Sequence, residues 1–420
     1  MRIAYFTNTY QPAVNGVVTS IRHFFKGLTE LGHEVHIFAP QYDEIDELEE
    51  GTVHRVPALD LSKSLNTAIP MAFKSQVEPL IQAIRPQIIH SQHPIFMGNL
   101  AANLAADMDI PLVFTFHSQY REYARGYSPV APDFSGKVID SMIESYLKKC
   151  SHVIVPTPAM QAYLRYYEID VPVSVVPTPV DLAIFHDLDP GWVRARYNLQ
   201  NREVLLYLGR LSAEKNLSFL LHAFARIHSR RPQARLLLAG EGPVTNPLKK
   251  LADELGLNEA VIFTGLVSTE DVPDYLAAAD LFVFPSTSET QGLVLLESMA
   301  AGTPVVALDA LASKDVLDHG GGLLVKGRPE DFSTAAELVL SDRELRSRLS
   351  AEGRAAAQAY TIPAASARLA EVYASIIQSW FSGGARSFPQ SMEGHNTSET
   401  LPFPYIGIHW LGVQLKFRME

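Results

Sequence analysis

Cysteine is almost missing from this chain: 420 residues carry one, Cys150. A single thiol excludes an internal disulfide and suits a reducing, cytoplasmic compartment. Long apolar runs are missing too. No stretch approaches the roughly 20 residues that a membrane-spanning helix needs. The opening "MRIAYFTNTYQPAVNG" has too short an apolar core for a secretion signal. Positive charge is not in excess. The formal net charge of −11 argues against a general nucleic-acid binder, so no nucleic-acid partner is expected. It leaves room for a local basic patch at a membrane. Fourteen histidines are present, but no H-x-x-x-H pair and no second cysteine joins them, so no metal site is expected. Short repeats are absent, apart from one doubling of the whole pattern.

What is present is a globular composition, 47% hydrophobic and 19% charged. The length exceeds one ordinary core and fits two or three domains. "MRIAYFT" reads as a strand and "NGVVTSIRHFFKGLTELGH" as a helix ending at Gly32. "EVHIFAP" follows as a strand, then "VHRVPAL", "QIIHSQ", "PLVFTFH", "HVIVPT" and "VSVVPT". The pattern restarts with "EVLLYLGR", "ARLLLAGEG", "AVIFTGLV", "LFVFPS", "TPVVALD" and "GGLLVKG". Apolar strands alternating with helices imply an α/β fold with parallel sheets covered on both faces. Two Rossmann-like domains are expected, at residues 1–179 and 180–363. A helix over 364–381 and a tail over 382–420 of unassigned structure follow.

In such sheets ligands sit beyond the carboxyl ends of the strands, and two facing domains would place two such edges across one cleft. Gly16 precedes a helix in "TNTYQPAVNGVV", where a helix start favours an anion. In "YLGRLSAEKN", Gly209, Arg210 and Lys215 follow a strand end. That positive charge suits a diphosphate, though an exposed basic loop would look the same. "AGEGPVTNPLKKLA" reads as a phosphate loop, a base loop or a tight turn. In "SETQGLVLLE" two carboxylates, Glu289 and Glu297, flank Gly292. Four readings stand open for them: an acid/base pair, metal ligands, a sugar-and-ribose grip, or a dipole-stabilised helix start with a solvated helix face. His117, with Tyr120, Arg121 and Tyr123 after it, and His90 with His93, lie at strand ends of the first domain.

Taken in order, "NGVV", "GRLSAEKN" and the E-x7-E of "PSTSETQGLVLLESMAAGTPVVA" resemble the retaining glycosyltransferases of family 4, with a two-domain GT-B fold, over roughly residues 1–380. The resemblance implies a role for each matching position. Gly16 and Val17 would offer amides to the distal phosphate, and His117 would lie beside the transferred sugar. Arg210 and Lys215, next to Gly209, would neutralise the diphosphate. Glu289 would contact sugar hydroxyls, the Gly292–Leu293–Val294 backbone the sugar and phosphates, and Glu297 the ribose. The last helix, near Tyr373, would cross back to the first domain.

"ETQG", with Gln291 where many relatives have phenylalanine, and "TFHSQYREYARGY" resemble enzymes that glycosylate diacylglycerol. That makes His93, Tyr120, Arg121 and Tyr123 acceptor-facing residues. It implies a UDP-sugar, foremost UDP-glucose, as donor, and diacylglycerol or a monoglycosyl-diacylglycerol as lipid acceptor. It further implies peripheral contact with a membrane surface, and neither a cofactor nor an essential metal. Alternatives are hexosyl transfer to phosphatidylinositol or a soluble acceptor, a sugar-nucleotide epimerase, and a glycoside hydrolase using the two glutamates. Pro179, in "PTPVD", stands where relatives often have a hinge glycine. It is expected to stiffen domain closure.

Overall fold

The computed structural model describes residues 1–43, 51–60, 68–121 and 132–383. The chain forms two compact units. One comprises Met1–Val176 together with the chain from Ser366 onward, and the other Pro177–Ala365.

The first unit carries β1 (Arg2–Phe6), β2 (Glu34–Pro40), β3 (Val53–Val56), β4 (Ala58–Asp60), β5 (Ala68–Pro70), β6 (Ile88–Ser91), β7 (Leu112–Thr115), β8 (His152–Val155) and β9 (Val173–Val175). Seven of these make one parallel sheet in the order β3-β2-β1-β6-β7-β8-β9. β1 aligns Ile3 with Val35 on one side and with Ile88 on the other. The stretch "VHRVPAL", expected as one strand, is two. Pro57 has no N–H to continue the ladder, so β3 stops at Val56. Ala58–Asp60 turns away to pair antiparallel with β5. The helix Gly16–Glu30 connects β1 to β2 and ends at Gly32 with φ 81°, a backbone state that costs glycine little. In the last helix, Ile362–Phe381, Tyr373 is fully buried against this unit. Its hydroxyl lies 3.1 Å from Tyr5 Oη and 2.5 Å from His90 Nδ1. Trp380 Nε1 donates to Asp109 O at 3.0 Å.

The second unit carries β10 (Glu203–Leu208), β11 (Ala234–Ala239), β12 (Val261–Gly265), β13 (Leu281–Phe284), β14 (Val305–Leu308) and β15 (Gly322–Val325), in the order β12-β11-β10-β13-β14-β15. Its strands have a period of two that feeds two cores. Leu205, Tyr207, Leu236, Leu238, Leu281 and Val283 join the core on one face. Val204, Leu206, Leu237, Ala239, Phe282 and Phe284 join that on the other. Continuous apolar strands are what a sheet buried on both faces requires.

Both sheets reverse their winding at one place. In the first, the order runs outward from β1 one way and from β6 the other. In the second it does so from β10 and β13. At such a switch point the loops leaving two neighbouring strands diverge and leave a crevice at their carboxyl ends. Among the described residues no helix is long and apolar enough to cross a membrane.

Candidate active site

At the second unit's switch point, the loop after β10 carries Gly209, Arg210 and Lys215, and the loop after β13 carries Glu289, Gln291 and Gly292. The "AGEG" turn after β11 braces the first of these loops. Gly209 N donates to Ala239 O at 2.9 Å, and Leu211 N donates to Glu241 O at 2.9 Å. A Cβ on Gly240 would stand 2.1 Å from Gly209 O, and one on Gly242 2.2 Å from Leu211 O. These glycines therefore serve a backbone-to-backbone contact that fixes where Arg210 emerges. Tyr207 supports the same loop from below, its hydroxyl donating to Arg210 O at 3.1 Å. Burial raises that hydroxyl's pKa well above the usual value. Arg210 is exposed, with no ion-pair partner among the described residues.

Lys215 and Glu289 meet. Lys215 Nζ lies 2.5 Å from Glu289 Oε1, the side chains being 15% and 21% exposed. Ser286 Oγ donates to the same oxygen at 3.0 Å. Asn216 Nδ2 donates to Pro285 O at 3.3 Å and Ser288 Oγ to Glu214 O at 3.4 Å, so the two loops are stitched at several points. Glu289 lies before the helix Leu293–Ala301, whose first turn holds no acidic residue. The dipole-stabilised helix-start reading gives way to the pair with Lys215.

Gly292, at φ 76°, makes the turn into that helix, a conformation that L side chains rarely adopt. No side chain caps the helix start, so the first-turn amides of Leu293 and Val294 stay available to an anion. Glu297 lies one turn further on. It is not on a solvated face. The residue keeps partial exposure, but its carboxyl is desolvated, which pushes its pKa up to about 7. It has no hydrogen-bond partner among the described residues. A desolvated carboxyl without a partner marks a place where a ligand's donors would be stabilising.

The first unit's switch point is built differently. Gly16 opens its helix, but Asn15 caps it, with Oδ1 accepting from Val17 N and Val18 N at 3.0 Å each. The Val17 amide, expected to face a phosphate, is thus taken by the asparagine N-cap in this structure. Gly16 is exposed and keeps its place at the helix start. His93, after β6, reaches across to the loop after β1, its Nδ1 accepting from Asn8 N at 3.1 Å. Burial lowers its pKa to about 4. His117, after β7, donates from Nε2 to Gln92 Oε1 at 2.7 Å. Burial, then the neighbouring His93, lowers its pKa to about 3, so the ring is neutral.

Two of the residues expected to face the acceptor are engaged within their own unit. Tyr120 is 2% exposed and set edge-on to Phe116, so its ring belongs to the core. Arg121 is held by Asp140 at 3.3 Å and lies over the Tyr166 ring at 4.7 Å. Tyr123 lies outside the described residues. The structure brings together Gly209, Arg210, Lys215, Glu289, Gly292, Leu293, Val294 and Glu297 in one unit, and Gly16, Val17, His93 and His117 in the other. Residues that sequence reasoning passed over are Asn15, Gln92, Tyr207, Asn216 and Ser286. Asn15 alone carried a local signal, as a capping residue directly before a helix.

Comparison with known proteins bears on the same loops. Residues 14–184 match the model described as Glycosyltransferase Family 4, and residues 193–356 the one described as Glycosyl transferases group 1. Over 313 residues the chain is 34% identical to an alpha-monoglucosyldiacylglycerol synthase of Streptococcus pneumoniae, covering 73% of this chain and 71% of that one. The chain belongs to the family 4 glycosyltransferases. This glycosyltransferase is also 29% identical over 317 residues to the alpha-monoglucosyldiacylglycerol synthase of Acholeplasma laidlawii, covering 73% and 80% of the two chains. Of solved structures, Anabaena HepE in complex with UDP matches with TM-score 0.71 at 19% identity, over 89% of this chain and all of that one. Sucrose-phosphate synthase from Thermosynechococcus elongatus matches with TM-score 0.73 at 23% identity, over 90% and 99%. At these identities the structural matches establish the GT-B fold.

Proposed function

We propose that this glycosyltransferase moves glucose from UDP-glucose, with retention at the anomeric carbon, to a lipid acceptor, either diacylglycerol or a monoglycosyl-diacylglycerol. One observation carries the donor half: at a single switch point, the exposed Arg210, the Lys215–Glu289 pair, a helix start without a side-chain cap and the desolvated Glu297 converge. Cations and free amides suit a diphosphate, and a partnerless carboxyl suits a ribose diol. The acceptor half rests on the two diacylglycerol-glycosylating relatives and on "ETQG" and "TFHSQY".

In this reading negative charge grows on the departing UDP, and Arg210, Lys215 and the Leu293 and Val294 amides stabilise it. Glu289, already oriented by Lys215 and Ser286, accepts from the sugar's hydroxyls. Neutral His117 lies beside the sugar. With cations supplied by the chain, an essential divalent metal has no task left, and the leaving phosphate itself takes the acceptor's proton. Glu289 is unsuited to be the free acid of a hydrolase, since its Oε1 is already engaged by Lys215 and Ser286. A lipid acceptor places the enzyme at a membrane surface, working from the cytoplasmic side. The test is product analysis with a panel of sugar nucleotides against diacylglycerol, monoglucosyl-diacylglycerol and phosphatidylinositol, with and without EDTA. An α-glucosyl lipid formed in EDTA is expected. A β-linked product would overturn retention, loss of turnover in EDTA the metal-free step, and transfer to phosphatidylinositol alone the acceptor.

A further inference from the structure

Gln291 stands between the two glutamates, yet it faces away from solvent at 3% exposure. Its amide is spent on one residue. Thr178 N donates to Gln291 Oε1 at 2.8 Å, and Gln291 Nε2 donates to Thr178 O at 2.9 Å. A primary amide has one donor edge and one acceptor edge side by side, so it can satisfy both backbone groups of a residue as a paired strand would. Thr178 needs such a partner. It is 6% exposed and lies between Pro177 and Pro179, neither of which has an N–H, so this stretch cannot join a sheet ladder. Next along the chain, Val180 N donates to Tyr360 O at 2.8 Å, and Val180 bridges Thr361.

These contacts have a particular place in the chain. Residues 178–180 follow the point where the chain enters the second unit, at Val176/Pro177. Residues 360–361 precede the point where it leaves, at Ala365/Ser366. Both crossing segments are thus tied together, and Gln291 ties them to the loop that carries Glu289 and Gly292. A carboxylate at position 291 would still accept from Thr178 N but would face Thr178 O without a proton to give. A leucine would leave both groups unsatisfied, and a phenylalanine has no donor or acceptor to offer.

We propose that Gln291 is a positioning residue that couples occupation of the nucleotide loop to the two crossing segments, so that bound donor tightens the stretch through which the chain passes between its units. This rests on the donor reading above. The coupling gives a stiff Pro-Thr-Pro passage a way to respond to ligand, through one side chain and not through a flexible glycine.

The experiment is amide hydrogen exchange on the full chain, read at Thr178 and Val180 with and without saturating UDP, alongside calorimetric UDP titration. In the parent, UDP is expected to slow exchange at both amides on the order of tenfold or more. In Gln291→Leu and in the isosteric Gln291→Glu, UDP affinity should stay within about threefold, because the side chain faces Thr178 and not the ligand loop's open side. The UDP-dependent slowing at Val180 should vanish in both. A purely structural bond would give faster exchange in the variants with no dependence on UDP in the parent. That result, or slowing by UDP at Val180 that survives in either variant, would overturn the coupling while leaving the donor site standing. Absence of UDP binding to the parent would overturn the donor reading and the coupling with it. If Gln291→Leu does not fold, Gln291→Glu carries the test at Val180, since it loses the donor to Thr178 O while keeping the bond from Thr178 N.

Discussion

The two switch points share a topology and differ in chemistry. At the first, polar groups are paired off and uncharged. Asn15 holds Val17 N, Asn8 N holds His93, Gln92 holds His117, and burial keeps both rings neutral. At the second, charge is kept and only partly compensated: Lys215 is shared with Glu289, and among the described residues Arg210 has no ion-pair partner and Glu297 no hydrogen-bond partner. On the proposed reading the difference suits a transferase. A diphosphate leaving group asks for exposed positive charge, whereas a neutral hydroxyl acceptor asks for a dry, oriented surface without it.

The largest expected effect comes from deleting charge on the second side. Arg210→Ala should weaken UDP binding on the order of 100-fold, since charged hydrogen bonds contribute roughly 1.5–3 kcal/mol each. Thermal stability should hold, because the side chain is exposed and has no ion-pair partner among the described residues. Arg121→Ala should do the reverse. It removes a contact to Asp140 and the Tyr166 ring, costing about 1 kcal/mol of stability, and leaves UDP affinity unchanged. Calorimetry and melting curves on both variants would decide it, and an equal loss of UDP affinity in the two would erase the distinction.

The next effect is a pH dependence confined to the second side. Glu297 is raised from 4.5 to about 7 by burial. Below 4.5 the folded and unfolded chains both hold the proton. Between 4.5 and about 7 the unfolded chain has released it while the fold retains it, so stability falls as pH rises, and the loss is complete above about 7. The loss is at most on the order of 3 kcal/mol. Glu297→Gln should therefore melt higher than the parent at about pH 8 and equally at about pH 4. UDP affinity should move oppositely in the parent. It weakens several-fold as pH falls through about 7 and the ribose acceptor is protonated; in Glu297→Gln it is flat. A parent whose UDP affinity does not change across neutral pH would contradict the ribose role.

His117 supplies the contrast. Its pKa of about 3 keeps it neutral throughout that range. If His117 lies beside the sugar as proposed, His117→Phe should lower turnover about tenfold by losing the Gln92 contact and that polar edge, while the neutral-pH transition that Glu297 imposes stays in place. If that transition disappears with His117, the titrating group belongs to the first side.

The sheets were readable in the sequence because period-two burial and apolar strands are local patterns. The loops were readable because a strand end followed by glycine and charge is local too. What joins those loops was not. Lys215 and Glu289 stand 74 positions apart, and Gln291 and Thr178 113 apart, and no spacing rule links such pairs. Tyr120 and Arg121 looked available because they follow a strand end. Their burial depends on Phe116, Asp140 and Tyr166, which only the fold assembles. Pro57 is the opposite case: a local break in pairing, plain in "VHRVPAL" once the missing N–H is weighed.

The smallest effect separates capping from catalysis at the first helix start. Asn15 Oδ1 accepts from Val17 N and Val18 N, so Asn15→Ala should cost about 1 kcal/mol and Asn15→Gly only a few tenths. Both free the Val17 amide. If a phosphate takes that amide during the reaction, it must displace Asn15 first, and removing the competitor should improve UDP affinity two- to threefold or so in both variants. If the amide belongs to the cap alone, affinity stays level while stability falls in the order alanine below glycine below asparagine. Gly16 N has no such competitor among the described residues, so the two neighbouring amides differ in what a phosphate would have to displace.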